Sequence, residues 1–411
     1  MNEGIAVSAL TVGIDVAKEF HWVVATVPHP ETGKARVALS RRVDNLPSAI
    51  DTLLVEIAEL EAEHGSAVVG IDVVGGIARL VEVMLCGAGL EVRHVPGLAV
   101  KVTRRATRGG AHKSDPRDAR VIADLVRARD DLRCLTVDET ENVGLSLLVA
   151  RRRALVEDQT RGIAQLLDLL CSIHPGLERV IRPRNKADLA LLARYVTPTE
   201  IRRAGRTRLL AYLRRTGRHN APVLDRLVTA ALTAAAEQHI HVPGEDIAAA
   251  IVKDLAADLL AIRTRLATVD TQIAEQLADH PDAALIQSLP GMGATLTAEF
   301  LATTGGITRF ATPDQLASAA GVAPTLQQSG KVRYLQRSTG GDRILKRVFY
   351  QAAFCALRRD PTSRAYYDRK RAAGKTHHQA VIALARRRVN VLHAILRTRQ
   401  PYETRPPRVA A

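Results

Sequence analysis

An α/β domain joined to an all-α remainder is the architecture this 411-residue sequence predicts. Three observations carry it. Apolar residues alternate with a period of two through short segments of the first third. From Glu139 the spacing becomes helical and rich in Ala, Leu and Arg, with Pro175, Pro183, Pro198, Pro222 and Pro243 as breakers. After His280 a strongly basic stretch is again helical, interrupted by a segment rich in Gly and Pro.

Taken in order, Thr11 to Val16, Phe20 to Val27 and Arg36 to Val43 read as strands of an antiparallel meander, the last two joined by a turn over Pro28 to Lys34. Asn45 and Pro47 mark the start of a helix whose Ile50, Leu53, Leu54, Ile57 and Leu60 recur at helical spacing. Ala67 to Val73 is a buried-type strand. It is followed by a helix (Ile77 to Cys86), a strand (Glu91 to Val95) and helices over Ala99 to Arg105 and Asp115 to Ala128. The order βββαβαβα is that of a ribonuclease H-like fold, which makes residues 1–132 one domain.

Residues 133–281 form a helical middle region. Its two long stretches, Glu139 to Ile173 and Glu245 to Leu277, are expected to pair as an antiparallel coiled coil, with Ile251, Leu255, Leu259, Ile262, Leu266, Ile273 and Leu277 on the stripe of the second. Such a pair serves as an internal spacer or as a dimer arm. Residues 282–411 form a basic C-terminal domain. In it, Leu289-Pro290-Gly291-Met292-Gly293 lies between two helical stretches and is similar to a helix-hairpin-helix. Amides around Gly291 and Gly293 would then hold a DNA phosphate; a plain packing turn is the alternative.

The charge balance narrows the partner. Lys and Arg number 58 against 43 Asp and Glu, a net charge of +15. From Lys331 to Ala411, 20 Lys or Arg face four acids, so the surplus is concentrated there. A polyanion, nucleic acid above all, is the expected partner. A second basic run, Lys101, Arg104, Arg105, Arg108, Lys113, Arg117 and Arg120, overlaps two aspartates considered below. Four scattered cysteines, with no CxxC pair, argue against a zinc site and a disulfide framework and for a reducing compartment. No run approaches the ~18 to 20 apolar residues of a membrane span, and the first ten residues do not read as a leader. A soluble cytoplasmic protein without a membrane partner is expected.

Four aspartates carry the chemistry. Asp15 closes the first strand in Gly13-Ile14-Asp15-Val16, and Asp72 closes the fourth in Gly70-Ile71-Asp72-Val73. In a ribonuclease H-like sheet these strands are neighbours, so both carboxylates leave from one edge. Asp115 and Asp118, three apart, share one face of a helix. Hard oxygen donors in such a cluster suit Mg²⁺ or Mn²⁺, and two ions about 4 Å apart would clamp the attacking and leaving oxygens of a phosphodiester. Singly each has a plainer reading: Asp15 as a turn residue, Asp115 as an N-cap before Pro116, Asp118 as a favourable charge at the helix dipole.

The same residues resemble a known family. Gly13-Ile14-Asp15-Val16-Ala17-Lys18, the Gly70 to Gly76 segment, Lys113-Ser114-Asp115-Pro116-Arg117-Asp118-Ala119 and the block from Leu289 to Arg347 together resemble insertion-sequence family one-hundred-and-ten. These are the DEDD, RuvC-like transposases that contain a serine, some guided by a bridge RNA. The resemblance covers about the first 130 and the last 120 residues. It implies that Asp15, Asp72, Asp115 and Asp118 are the metal-binding acids and that Ser329, in Gln328-Ser329-Gly330, is the nucleophile of DNA strand cleavage and exchange. It further implies donor and target double-stranded DNA, a guide RNA, a homodimer or homotetramer, and action on the bacterial nucleoid. The departure is Asp72, where the family pattern has Glu in a Glu-Ala-Thr-Gly context and this chain reads Asp72-Val73-Val74-Gly75. The acid is one methylene shorter.

A serine hydroxyl is a weak nucleophile and needs activation; as an ordinary turn former, Ser329 is equally at home in a loop. Ser338, Tyr334 and Tyr350 are the rival hydroxyls. Lys331, Arg333, Arg337, Arg343, Lys346 and Arg347 surround Ser329 in sequence and are candidates for the flanking phosphates. With aromatic residues at 3%, stacking platforms are scarce, which favours a guide nucleic acid or DNA shape as the source of specificity. Three other readings stand beside this one. A nuclease or junction resolvase would use water on the same aspartates. A decayed, purely nucleic-acid-binding protein would bind without chemistry. An actin-like kinase would need Gly and Thr or Ser after the first Asp, where Val16-Ala17-Lys18-Glu19 stands.

Overall fold

A computed structural model of the chain describes residues 10–29, 31–32, 34–106, 112–135, 143–329, 332–336, 338 and 340–403. Of the expected DNA-contacting residues, Lys331 and Arg337 lie outside the described residues, as does Gly330. The chain divides into two compact units, Met1–Glu141 and Asn142–Ala411.

The first unit is mixed α/β. Strands β1 (Leu10–Asp15), β2 (Phe20–Pro28) and β3 (Ala35–Asp44) form the expected meander, followed by α1 (Pro47–His64) and β4 (Ala67–Ile71). A 3₁₀ turn at Gly76–Ala78 leads into α2 (Arg79–Gly87), then β5 (Glu91–His94), α3 (Gly97–Ala106), α4 (Asp115–Ala128) and β6 (Arg133–Leu135). The sheet order is β3-β2-β1-β4-β5-β6, with β1 antiparallel to β2 and parallel to β4. β1 and β4 are therefore neighbours, as the expected fold requires. β6 was not expected, and it carries the sheet past the anticipated boundary at residue 132. Three residues with one buried position are too short to show a period of two. α1 starts at Pro47, within the expected start, with Leu46 as its N-cap; Asn45 Nδ2 donates to the Lys18 carbonyl at 3.1 Å.

Helices cover both faces of this sheet. Val12, Ile14, Val69 and Ile71 pack against Ile50, Leu53 and Ile57 of α1 and Val81 and Leu85 of α2. Each such fully buried side chain contributes about 1.5–3 kcal/mol. Val68 and Val95 face the opposite way, against Val121, Ile122 and Val126 of α4.

The second unit is mostly helical: α5 (Val143–Ile173), α6 (Pro175–Val180), α7 (Lys186–Leu192), α8 (Pro198–Arg215), α9 (Ala221–Glu237), α10 (Glu245–Ala278), α11 (Ala283–Ser288), α12 (Ala294–Thr304) and α13 (Pro313–Ala319). A hairpin of β7 (Thr325–Ser329) and β8 (Val332–Gln336) follows, then α14 (Arg343–Ala356), α15 (Pro361–Ala372) and α16 (His377–Thr398). α5 and α10 lie side by side and antiparallel: Arg152 Nε meets Asp270 Oδ1 at 2.6 Å, and Gly162 lies beneath Leu259. Ile251, expected on the apolar stripe, is 43% exposed, and Ala249, Val252, Ala256 and Leu259 take the buried face. This part of α10 packs on α7 as well as α5, and small residues admit the second neighbour.

This helix pair joins two cores rather than standing apart from the C-terminal region. Leu166 and Leu170 of α5 and Leu259 of α10 pack with α6 to α9, whereas Leu145 and Val149 of α5 and Ile273 and Leu277 of α10 pack with Phe300 and Phe349. The turn at Leu289–Gly293 packs closely on α14. Gly291 has φ +88°, and a Cβ there would fall 2.3 Å from the Ala352 carbonyl oxygen of α14. Gly293 alone of the two glycines is exposed, at the N-cap of α12.

Part of the C-terminal positive charge is spent internally. Arg388 is 3% exposed, and Arg347, Arg386 and Arg399 pair with Glu299, Asp314 and Asp282. Among the described residues, no helix is long and apolar enough to cross a membrane.

Candidate active site

The four aspartates of the first unit come together because of how α4 sits on the sheet. Asp15 ends β1 and Asp72 directly follows β4, so both leave the same sheet edge. α4 delivers the others: Ser114 is its N-cap, Asp115 its first residue, and Asp118 lies one turn on, 6% exposed. Asp115 is thus not the N-cap, and its side chain is exposed.

Burial and like charge together mark the cluster. The Asp15 carboxyl is pushed up to about 7, first by burial and then by the charges of Asp72, Asp118 and Asp115, with Lys113 opposing. Asp72 is raised by burial, offset by the Val16 amide, which donates to its Oδ1 at 3.2 Å. Arg104 at the end of α3 neutralises the third acid: its Nη1 donates to Asp118 Oδ1 at 2.7 Å and Oδ2 at 2.6 Å. Expected to contact nucleic acid, Arg104 is in this arrangement an internal partner of the cluster. Arg105 and Lys113 are exposed.

A divalent cation is the chemical complement of such a site. Its donors are hard carboxylate oxygens, and the charges of the other three add to burial in raising the proton affinity of Asp15, a repulsion that a cation relieves. The donor set therefore fits Mg²⁺ or Mn²⁺ in type. Among the described residues, however, no group of three or more His, Cys, Asp or Glu stands at ligand spacing. Asp118 is paired with Arg104, and Asp115 is exposed.

Ser329 belongs to the second unit. It is the last residue of β7, exposed, and register partner of Val332 at the end of the hairpin. Arg333 on β8 and Arg343 at the start of α14 are exposed; Lys346 is half-buried, its Nζ 3.5 Å from the Ser338 carbonyl; Arg347 meets Glu299 at 2.7 Å. Of the rival hydroxyls, Ser338 donates to the Gly340 carbonyl at 3.3 Å.

Two supporting residues escaped the sequence reading. Glu82 is 7% exposed on α2 and accepts from the Gly75 amide at 2.6 Å, holding the loop that follows Asp72. A charged residue between Val81 and Leu85, on the apolar face of its helix, was the available signal. His21 is fully buried and accepts from the Ala17 amide at 3.3 Å, bracing the loop that follows Asp15. Its place in a strand left no mark in the sequence.

Comparison with known proteins agrees in both units. Residues 12–175 match the DEDD-type IS110 family model, described as a transposase, and residues 283–368 match the model of the transposase IS116/IS110/IS902 family. The 42 kDa protein of insertion element IS900 from Mycobacterium paratuberculosis is 39% identical over 402 residues, 97% of this chain and 98% of that protein. The 43.6 kDa protein of insertion element IS110 from Streptomyces coelicolor is 37% identical over 400 residues, 96% of each. Among solved structures, T. thermophilus RuvC in complex with a Holliday junction substrate aligns at 17% identity over 31% of this chain and 99% of that one, with a TM-score of 0.24.

Proposed function

The chain belongs to the IS116/IS110/IS902 transposase family, and from that premise we propose that it cuts and rejoins DNA through Ser329 with the help of divalent ions held by Asp15, Asp72, Asp115 and Asp118. The observation that carries the reading is the gathering of those four acids: burial first, and then the charges of Asp72, Asp118 and Asp115, raise Asp15 to about 7. A half-buried carboxylate facing three others is better explained by a cation than by turns and helix dipoles. A bound Mg²⁺ or Mn²⁺ supplies neutralising charge and polarises the phosphodiester.

The serine performs the covalent step. Its Oγ forms a bond to phosphorus as the bond to the leaving deoxyribose oxygen breaks, and the proton lost from Oγ ends on that leaving oxygen. The resulting phosphoserine ester conserves the phosphodiester bond, so reversal onto a second strand end rejoins DNA. Exposure of Ser329 at the end of β7 supports this role, and Arg333 and Arg343 are candidates for the neighbouring phosphates. Donor and target duplexes are the substrates, on the bacterial nucleoid. A guide RNA selects the target, and a dimer or tetramer supplies one serine to each exchanged strand.

The test is incubation of the protein with Mg²⁺, donor and target DNA and the RNA encoded beside its gene, followed by denaturing gel and mass spectrometry. A protein–DNA adduct at Ser329, lost in Ser329→Ala and in Asp15→Ala, supports the proposal. Cleaved ends that persist in Ser329→Ala without an adduct replace it with hydrolysis by water. Unchanged products without RNA remove the guide.

A further inference from the structure

A cleft of about 690 Å³ opens beside the base of the β7–β8 hairpin. Pro324 and Ile382 contribute apolar walls, Tyr366 and His378 aromatic rings, and Lys346 and Lys375 cations. Neither lysine has a carboxylate partner among the described residues. Three cations gather around Tyr366: Arg369 and Arg387 lie 5.2 Å, and Lys370 5.5 Å, from its ring centre. His378 is exposed, its ring tilted at 36° to that of Tyr350 with centres 5.2 Å apart. Of these groups the two rings Tyr366 and His378 and the cations Lys346, Lys375 and Arg386 line the cleft itself, while the cations over Tyr366 lie outside its lining; in a chain with so few aromatics, that combination calls for a ligand that has both a π face and a negative charge.

We propose that the cleft takes an unpaired nucleotide of a DNA strand, its base against Tyr366 and His378 and its phosphate at Lys346 and Lys375. The volume falls in the range of small-ligand sites, about 300–1,000 Å³, which admits a nucleotide or two and not a duplex. Unpaired bases are held by stacking on aromatic rings, with cations along the backbone. The hairpin indicates which strand. Gln336 lines the cleft and pairs with Thr325 at the hairpin base, whereas Ser329 pairs with Val332 four residues along. At about 3.4 Å per residue that is ~14 Å, the length of about four stacked nucleotides. A strand attacked at Ser329 thus reaches the cleft a few nucleotides from the cut. The choice of DNA rests on the proposed role of Ser329.

The test measures fluorescence anisotropy of full-length protein, in EDTA, with labelled 16-mers of oligo(dT) and oligo(U) and a 16-base-pair duplex. Tyr366→Ala and the exposed His378→Ala are expected to weaken oligo(dT) binding about tenfold and leave the duplex within twofold, with Tyr366→Phe restoring it. Equal losses for strand and duplex, or none in His378→Ala, overturn the site; a loss confined to oligo(U) overturns its assignment to DNA. Because nothing is cut, the result is independent of the adduct assay: absence of an adduct refutes the serine chemistry and leaves this binding difference standing.

Discussion

Gly13 and Gly70 are register partners on the parallel strands β1 and β4, and α4 lies against both of them. A Cβ on Gly13 would come within 2.0 Å of the Ala119 carbonyl oxygen and 2.4 Å of the Ala123 amide nitrogen; one on Gly70 would meet methyls of Val126 at 2.4 Å and Ile122 at 2.8 Å. Two residues after each glycine stands an aspartate of the cluster, and the start of α4 provides the other two. The glycines set the depth at which α4 sits, and hence the distance between the two pairs of acids.

Replacing them should have unequal effects. Gly13→Ala drives a methyl into helix backbone, which cannot yield without moving α4, so a loss of about 3 kcal/mol and of at least a hundredfold in DNA cleavage is expected. Gly70→Ala meets β-branched methyls of α4, which are stiff at χ1 but are side chain and not backbone, so a smaller loss of about 2 kcal/mol is expected. Urea unfolding and a cleavage assay on both variants check this; equal effects would mean that α4 is not held by backbone contact.

The aspartates stood out in the sequence because each ends a strand-like segment or lies in the first turn of a helix, and those local patterns persist in the fold. Their glycine seat was not, since Gly13 and Gly70 are 57 positions apart and their relation exists only through strand pairing and the close approach of α4. The long helices were legible almost to the residue, with Glu245–Ala278 observed where Glu245 to Leu277 was expected. Their exposed side was less so: a heptad stripe assumes one partner, and α10 has several, which is why Ile251 is exposed. Arg104 shows a further limit. In sequence it belongs to a basic run; in the fold it is the counter-charge of Asp118.

That counter-charge leads to a metal-dependent prediction. Arg104 and Asp118 are 14% and 8% exposed, so removing the guanidinium leaves a buried carboxylate without its neutralising partner. Arg104→Ala should cost about 2–3 kcal/mol in metal-free protein. Addition of Mg²⁺ should recover more stability in the variant than in the parent, because the cation replaces the missing charge. Thermal melts with and without Mg²⁺ measure the two increments, and identical increments would show that the ion does not engage Asp118.

A second cation, Arg388, was counted with the DNA-binding surplus and instead ties the second unit together. Its Nη1 donates to Ser363 Oγ at 3.2 Å and its Nη2 to the Pro290 carbonyl, while burial lowers its own proton affinity to about 10. Ser363 Oγ in turn donates to Asp360 at 2.5 Å, and Asp360 is 3% exposed. Arg388→Met keeps most of the volume but takes the donor from Ser363 Oγ and the Pro290 carbonyl and the nearby positive charge from the buried Asp360. A loss of about 3–5 kcal/mol in urea unfolding is expected, against less than 1 kcal/mol for Arg387→Met on the exposed side of the same helix. Similar values for both would return Arg388 to the surface.

Acid sensitivity of the helical unit should pass through His174. The ring is fully buried, its Nδ1 2.9 Å from the Val196 carbonyl oxygen. Burial is the largest influence and lowers its proton affinity; the Val196 and Ala234 carbonyls and Glu245 oppose, and Arg202 adds to the lowering. Below about pH 6.5 the unfolded chain therefore takes up a proton that the folded ring refuses. The contribution of this residue is complete above that pH and declines as pH falls, by at most ~1.4 kcal/mol per unit. His174→Asn places an amide nitrogen where Nδ1 stood and does not titrate. Between pH 7.5 and 5.5 the parent should lose more stability than this variant, by no more than ~1.4 kcal/mol, read from urea midpoints; parallel losses would place the acid sensitivity elsewhere among the histidines.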